Sequence, residues 1–362
     1  MKSGRHKHNK EKNEDRLSDL PDGILHHILF FSNAKQAVQS CILSSRWKNL
    51  WKTLPTFILT SSQFRARLKF TKFVSNILSL RDASTSLYTL DLHRGGSTDP
   101  QLHKRILKYA FSHNVQRLQI KTDCYPGPQF PPSFFSCHTL SSLNLRFCYN
   151  YQTLFPNSLN LPALTNLSLH RFNFCVHDDG CVNPFSTFNR LKSLNIYNCT
   201  VSGNQSLCIS SATLANLTIK SNLWWLRFKN FQLSTPSLCT FVFCGTPCQK
   251  LCGSLSNLSS VKHVNIDVPW DYKSKNTPLV LLNWLIELPN TESLTVSMNT
   301  LEVLSFVPDL FKVEFPSLYS LKSLEVTKSY HFRSTCTPKE IVKFLLQNAP
   351  SAKVMVPSSL VS

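Results

Sequence analysis

The stretch Leu164-Thr165-Asn166-Leu167-Ser168-Leu169 decides the fold, because it returns as Leu191-Lys192-Ser193-Leu194-Asn195-Ile196 and as Leu214-Ala215-Asn216-Leu217-Thr218-Ile219. In each copy one apolar residue is followed three and five positions later by two more. The last two alternate with polar residues, as in a short strand with one buried face. The same spacing recurs at Leu87-Leu90-Leu92, Val115-Leu118-Ile120, Leu140-Leu143-Leu145, Leu238-Phe241-Phe243 and Val261-Val264-Ile266. Less complete copies are Leu294-Val296, Leu321-Leu324-Val326 and Val354-Val356. Successive middle residues lie between 23 and 30 positions apart.

That strand signature at that period reads as leucine-rich repeats, each laying one strand in a parallel sheet with looser segments behind it. The repeats are expected to fill residues 87–330 as an irregular horseshoe. Pro100 to Ser112 reads as a convex helix through Leu102, Ile106, Leu107 and Ala110, whereas Phe130-Pro131-Pro132 and Leu161-Pro162 read as extended. An Asn or Cys three positions beyond the strand's last apolar residue bonds backbone groups in the turn leaving the strand. Cys148, Cys199, Asn222 and Asn299 fall there, which assigns them to structure rather than to redox or metal chemistry. Residues 56–86 are expected to be a linker and an N-terminal cap. Phe70, Phe73, Val74, Ile77 and Leu78 place its helix over Gln63 to Leu80, covering the open end of the first repeat. Residues 331–362 read as the other cap. Thr337-Pro338-Lys339-Glu340 is a capping box opening a helix through Asn348, and a last strand follows from Lys353.

Residues 15–55 have a different texture. Asp15-Arg16-Leu17-Ser18-Asp19-Leu20-Pro21-Asp22 precedes Ile24-Leu25 and Ile28-Leu29 at helical spacing, with Pro21 suited to a first helical turn. A second helix from Lys35 to Leu43 offers Ala37, Val38, Cys41 and Ile42, and a third, capped by Ser44, offers Trp47, Leu50, Trp51 and Leu54. About forty residues bury little core alone, so this unit completes its core on a partner or on the repeats behind it.

The block resembles a plant-type F-box, whose pattern runs L-S-x-L-P-D-x-I-L-x-x-I-L, a turn, then A-V-x-x-C/S-x-L-S-x-R-W-K/R-x-L-W. The matching residues are Leu17 to Leu29, Ala37-Val38, Cys41, Leu43-Ser44 and Arg46 to Trp51. The resemblance implies an α+β chain, a small all-α F-box of three helices followed by the repeat horseshoe. It also implies binding to a Skp-type adaptor and, through it, to a cullin–RING ubiquitin ligase. Leu20, Pro21, Ile24, Leu25, Ile28, Val38, Leu43, Trp47, Leu50 and Trp51 would form the F-box core and its adaptor-facing surface. Ser32-Asn33 stand where relatives have an apolar residue followed by Pro or Asp, and Gln36 replaces a frequent Glu. Losing that apolar contact is expected to weaken helix packing by roughly 1–2 kcal/mol and to touch adaptor affinity. Phrases such as Ser112-His113-Asn114-Val115 and Leu161-Pro162-Ala163-Leu164 extend the likeness to plant F-box/leucine-rich-repeat proteins. The tail from Thr337 is similar to the end of the FBD region of that family, without the segment that precedes it.

Strand side chains alternate, so the leucines point inward and the residues between them line an exposed concave face. Arg117, Lys121, Arg146, His170 and Lys220, grouped around Tyr197, make the first half of that face basic. An acidic or phosphorylated target segment suits such donors. A solvated polar face whose partner binds the loops is the other reading.

Composition narrows the alternatives. The formal charge is +19, from 39 basic and 20 acidic residues, and the arm at residues 1–14 is read as disordered and basic. The remaining charge is dispersed, so a nucleic-acid partner is a minor reading beside a basic protein-binding module acting with or without ubiquitination. No apolar run approaches the length that spans a membrane, and the charged N-terminus does not read as a signal peptide. Thirteen cysteines without such a signal point to free thiols and to the nucleus and/or cytoplasm. Cys244-Cys248-Cys252 is the densest cysteine group, but it lacks a fourth zinc donor, so no metal or cofactor is expected. No catalytic motif occurs, which reads as a non-catalytic subunit.

Overall fold

The strand signature builds one parallel sheet of twelve strands that pair in chain order. The computed structural model describes residues 17, 19–95, 100–122, 130, 134–147, 153–156, 159–175, 181–202, 206–221, 231–247, 251, 258–269, 276–313, 318–328 and 339–355. The strands are β1 (Thr56–Thr60), β2 (Thr89–Arg94), β3 (Arg117–Thr122), β4 (Ser142–Arg146), β5 (Asn166–His170) and β6 (Ser193–Tyr197). They continue as β7 (Asn216–Lys220), β8 (Thr240–Cys244), β9 (His263–Asp267), β10 (Ser293–Ser297), β11 (Ser323–Thr327) and β12 (Lys353–Met355). Register follows the repeat: Phe57 stands beside Leu90, Leu90 beside Leu118, and the row continues through Leu143, Leu167, Leu194 and Leu217. These side chains are buried, and the residues between them are half-buried or exposed. A slip of one residue would turn that row to solvent, so burial fixes the register.

Repeat length reports what lies behind each strand. The convex helices are α3 (Arg67–Leu80), α4 (Pro100–Ser112), α5 (Thr277–Ile286), α6 (Met298–Ser305) and α7 (Lys339–Gln347). Repeats that carry them advance the middle residue by 28 to 33 positions, and the others by 23 to 27. A helix rises 1.5 Å per residue and a strand about 3.3 Å, so a helical return needs more residues to span the same layer. The four shorter repeats between β4 and β8 return through small parallel sheets instead, one of Thr153–Leu154, Phe172–Phe174 and Thr200–Val201, the other of Cys181–Val182, Ser206–Ser210 and Phe231–Ser234. Phenylalanines fill the space behind the leucines: Phe172 meets Phe147 and Phe155 with ring centroids 5.2 and 5.8 Å apart. Cys181 and Cys208 lie close together on neighbouring strands of the second small sheet, with Cα atoms 5.8 Å apart. No helix among the described residues is long and apolar enough to cross a membrane.

The stretch read as linker opens with strand β1, and α3 is the convex segment between β1 and β2 rather than a terminal cap. The N-terminal helical module takes the covering role, with α2 (Ala34–Gln39) packing on β1. In that module α1 (Asp22–Phe30) starts after Pro21, whose ψ of 148° makes it the residue before the helix, and Asp22 favours the helix dipole. The expected second helix ends at Gln39 and tightens into a 3-10 turn over Ser40–Ile42. The third is a run of turns closing in a 3-10 helix, Leu50–Thr53. Pro55 explains that stop, since it holds Leu54 extended (ψ 129°). One continuous buried core runs from Leu25 and Trp51 through the repeats to Ala349.

Arg81 joins module to repeats. It is 5% exposed, and its guanidinium donates to the carbonyl oxygens of Leu54 (2.9 Å), Thr85 (2.7 Å) and Ser86 (3.0 Å) and to Tyr109 Oη (3.0 Å). It also lies 5.4 Å from the ring centroid of Phe57. Arg81→Ala is expected to cost about 2–4 kcal/mol, read from the urea unfolding midpoint, because buried carbonyls lose charged donors. Arg81→Lys should recover little, since one ammonium cannot reproduce the fork. A variant within 0.5 kcal/mol of the parent (roughly the scatter of ordinary surface substitutions) would refute this role.

Candidate functional site

Two surfaces carry the residues that sequence reasoning singled out. On the open face of the sheet, the last outward position of each strand forms one row. His93 stands beside Lys121, Lys121 beside Arg146, Arg146 beside His170, His170 beside Tyr197, and Tyr197 beside Lys220. Neighbouring strands are about 4.8 Å apart, so Lys121 to Lys220 span roughly 19 Å. Arg117 lies four residues down β3 from Lys121, outside this row, with its guanidinium 5.1 Å from the ring centroid of Tyr88. The structure therefore brings five of the six candidates together and sets Arg117 apart.

Between the row and Arg117 is a depression of about 690 Å³ whose floor includes Asp91, Gln119, Asn144 and Asn195. A polar chain crosses it. Asn144 Nδ2 donates to Gln119 Oε1 (3.2 Å), Gln119 Nε2 lies 3.1 Å from His93 Nε2, and the same His93 nitrogen lies 2.8 Å from Asp91 Oδ1. Burial raises the Asp91 carboxyl above its ordinary range, against the opposing pull of His93. Such cross-strand polar chains fix side-chain directions.

His170 behaves differently from its place in a basic cluster. Its ring stacks on Tyr197 at 4.2 Å and 15°, and burial, followed by Arg146 and Arg171, pushes its pKa down to about 4. It is neutral at pH 7, so the positive charge of the row comes from Lys121, Arg146 and Lys220. Local backbone explains the crowding: β5 and β6 end in left-handed residues, Arg171 (φ 64°) and Asn198 (φ 51°). Cys199, buried just beyond, donates its thiol toward Leu169 O at 3.6 Å and accepts from Phe172 N–H at 3.4 Å. Burial pushes that thiol to about 12, as suits a structural ladder position. Asn299 fills no such role. It lies buried inside α6 without a hydrogen bond, while Thr300 Oγ1 bonds Val268 N–H (2.9 Å) and Ile266 O (3.1 Å) instead. Cys148, Asn222, Cys248 and Cys252 lie outside the described residues. Cys244 sits 3.7 Å from Asp267 Oδ2, and burial, with Asp267, pushes its thiol to about 12. No cluster of three metal-ligating side chains occurs among the described residues.

The second surface is the helical module. Of the ten residues the resemblance assigned, Leu25, Trp47 and Trp51 are buried, and Leu20, Val38 and Leu50 pack half-buried on the core. Pro21, Ile24, Ile28 and Leu43 are exposed. Ile24, Ile28 and Phe31 follow one helical stripe and stay 48%, 40% and 71% exposed, an apolar face with no cover from the described residues. Ile42, expected on the buried face of the second helix, is 87% exposed because the 3-10 turn rotates it outward. Phe31 and Ile42 are the residues that pattern reading missed. Asn33 and Gln36, the departures from the family pattern, form a capping box. The Asn33 side chain accepts from Gln36 N–H (3.0 Å) and Gln36 Oε1 from Asn33 N–H (3.3 Å). Such a cap contributes about 1 kcal/mol, comparable to the apolar contact whose loss was expected.

Because the unfolded chain binds a proton at His170 near pH 6.5 and the folded chain only near 4, this residue's share of stability is full above pH 6.5. It is lost as pH falls from 6.5 towards 4. His170→Phe is therefore expected to flatten the pH dependence of the urea midpoint across that window. Parallel slopes for parent and variant would refute it.

Residues 17–66 match the F-box domain family, a span that runs through β1 to the threshold of α3. An F-box/FBD/LRR-repeat protein of Arabidopsis thaliana is 25% identical over 95% of this chain and 77% of its own length. An F-box/LRR-repeat protein of the same plant is 28% identical over 97% of this chain and 74% of its own. An FBD-associated F-box protein from it is 29% identical over 59% of this chain and 46% of its own. With a capped helical module bearing an apolar stripe, and a parallel repeat sheet fused to it, the chain carries an F-box domain match and is similar over most of its length to plant F-box/leucine-rich-repeat proteins.

Proposed function

We propose that this chain is the substrate-recruiting subunit of a Skp–cullin–F-box ubiquitin ligase, without catalytic chemistry of its own, acting in the nucleus and/or cytoplasm. The observation that carries the reading is the exposed stripe of Ile24, Ile28 and Phe31 on a helix whose other face, Leu25 and Leu29, is buried in the core. Apolar surface held rigidly in water is a docking face, and the F-box match supports a Skp-type adaptor as its partner. The row Lys121, Arg146 and Lys220 beside Tyr197 is the proposed contact for an acidic or phosphorylated segment of the target. Lysine and arginine donors there face solvent, and Arg146 offers a planar fork to carboxylate or phosphate.

Both halves have direct tests. Ile24→Asp with Ile28→Asp leaves the buried face of α1 untouched, so its circular dichroism should match the parent. Co-purification with a Skp-type adaptor should fall by about a hundredfold, the loss expected from removing two anchors worth roughly 3 kcal/mol together. Undiminished co-purification would overturn the adaptor assignment. For the target half, proteins that accumulate when the chain is removed are the candidates, and Lys121→Ala with Arg146→Ala should weaken their binding at least tenfold, the effect of losing charge-assisted contacts. A target bound equally by this variant would place recognition on the loops.

A further inference from the structure

We infer that the solvent faces of α3 and α4 form a second docking surface, for an acidic polypeptide segment that carries an apolar side chain. The surface lies beside the F-box and on the opposite side of the core from the open sheet face. From residue 64 to 81 and from 100 to 122 the chain has no aspartate or glutamate. Arg65, Lys69 and Lys72 on the first segment and Lys104, Arg105 and Lys108 on the second are all exposed. In the linear sequence these are two separate basic helices; in the fold they meet. Arg105 Nη1 donates to Ser75 Oγ at 3.0 Å, bridging α4 to α3. Ser75 lies one turn from Lys72, and Lys108 one turn from Arg105, so the cations form one band across both helices.

Leu68 identifies the kind of partner. It is 82% exposed and stands among these cations, with Lys72 one turn further along the same face. A phosphate backbone is gripped through charge and leaves such a leucine without use. A lipid surface would need a whole apolar helix face, but that of α3 (Phe70, Val74 and Ile77) is buried in the core. An acidic peptide with an apolar anchor covers leucine and cations together, which is how a hot spot with a charged rim is built. The band also adjoins the F-box. Lys35 of α2 donates to Gln63 O at 2.8 Å and lies 5.0 Å from the ring centroid of Phe64, the residue before Arg65.

The test titrates the full chain with two fluorescein-labelled probes, a twelve-residue polyglutamate and the same peptide with two central leucines. The leucine peptide should bind about tenfold more tightly, the equivalent of one buried leucine contact. Leu68→Ser should erase that difference. Lys72→Gln with Arg105→Gln should weaken the leucine peptide and reduce its salt dependence, whereas Lys121→Gln with Arg146→Gln on the open face should leave the tenfold difference between the two peptides in place. Equal affinity for the two peptides, or sensitivity to the open-face pair in place of the helix pair, overturns the inference. So does tighter binding of a twelve-nucleotide single strand or of phosphatidylserine vesicles, which would reassign the band to polynucleotide or lipid. Adaptor co-purification, measured on the same variants, should not change, so a failure here is distinct from a failure of the ligase reading.

Discussion

The arrangement of this molecule hangs on one buried cation. Arg81 leaves the end of α3 and reaches the last carbonyl of the helical module at Leu54, the loop leading into β2, and the hydroxyl of Tyr109 on α4. No carboxylate takes part in these bonds. The charge is met by carbonyl dipoles and by the faces of Phe57 and Tyr109. A guanidinium can do this because its donors lie in a fixed plane and it is less strongly hydrated than an ammonium. The consequence is geometric. Module, first strand and second repeat share one anchor, so the F-box behaves as an extension of the sheet rather than as a bead on a linker.

The same junction is where sequence reading fell short, and the reason is specific. Leu54-Pro55-Thr56-Phe57-Ile58-Leu59 carries the repeat spacing as plainly as any later copy. Leu54 also continues the apolar stripe of Trp47, Leu50 and Trp51, so helical and repeat patterns overlap on one residue, and burial in a shared core satisfies both. Pro55 resolves the ambiguity by forcing an extended residue before it. The remaining strands of the large sheet were legible because nearly all of them place two apolar side chains on the side that faces the core, whereas the short strands of the two small sheets carry no such repeat. α4 was legible through one clean stripe, Leu102, Ile106, Leu107 and Ala110, all buried. α5 was not, since Thr277-Pro278-Leu279-Val280-Leu281-Leu282 is apolar on nearly every side and shows no period. Its presence is nevertheless written in the interval of 30 residues between Val264 and Leu294, which an extended return would not need.

The candidate sites divide along the same line. Alternation along a strand was enough to list the outward residues, but only register shows that Lys121, Arg146, His170, Tyr197 and Lys220 share one row while Arg117 does not. Charge state is a further step. A histidine stacked on tyrosine between two arginines is neutral at pH 7 for reasons of burial and neighbours that no single sequence window contains. In the helical module, Asn33 and Gln36 look like losses when compared with a family pattern. Their hydrogen bonds make them a self-contained cap, so the interaction changes in kind while the helix start is kept.

A net charge of +19 spread along a chain says little until the fold sorts it. Here the sheet gathers one set of cations on its open face and the convex helices gather another, with the leucine layer between them. Neighbours within a set, such as Lys121 and Arg146 on adjacent strands, lie within a Debye length of each other, and a low-dielectric core separates the two sets. Partners of like charge would therefore meet two distinct surfaces rather than one diffuse field. Shape and apolar content decide which they choose: the open face offers a polar depression beside Tyr197, and the helix pair offers Leu68. That division follows from repeat architecture itself, because a strand must present alternate residues to the open side and a helical return must present its own outer face to the other.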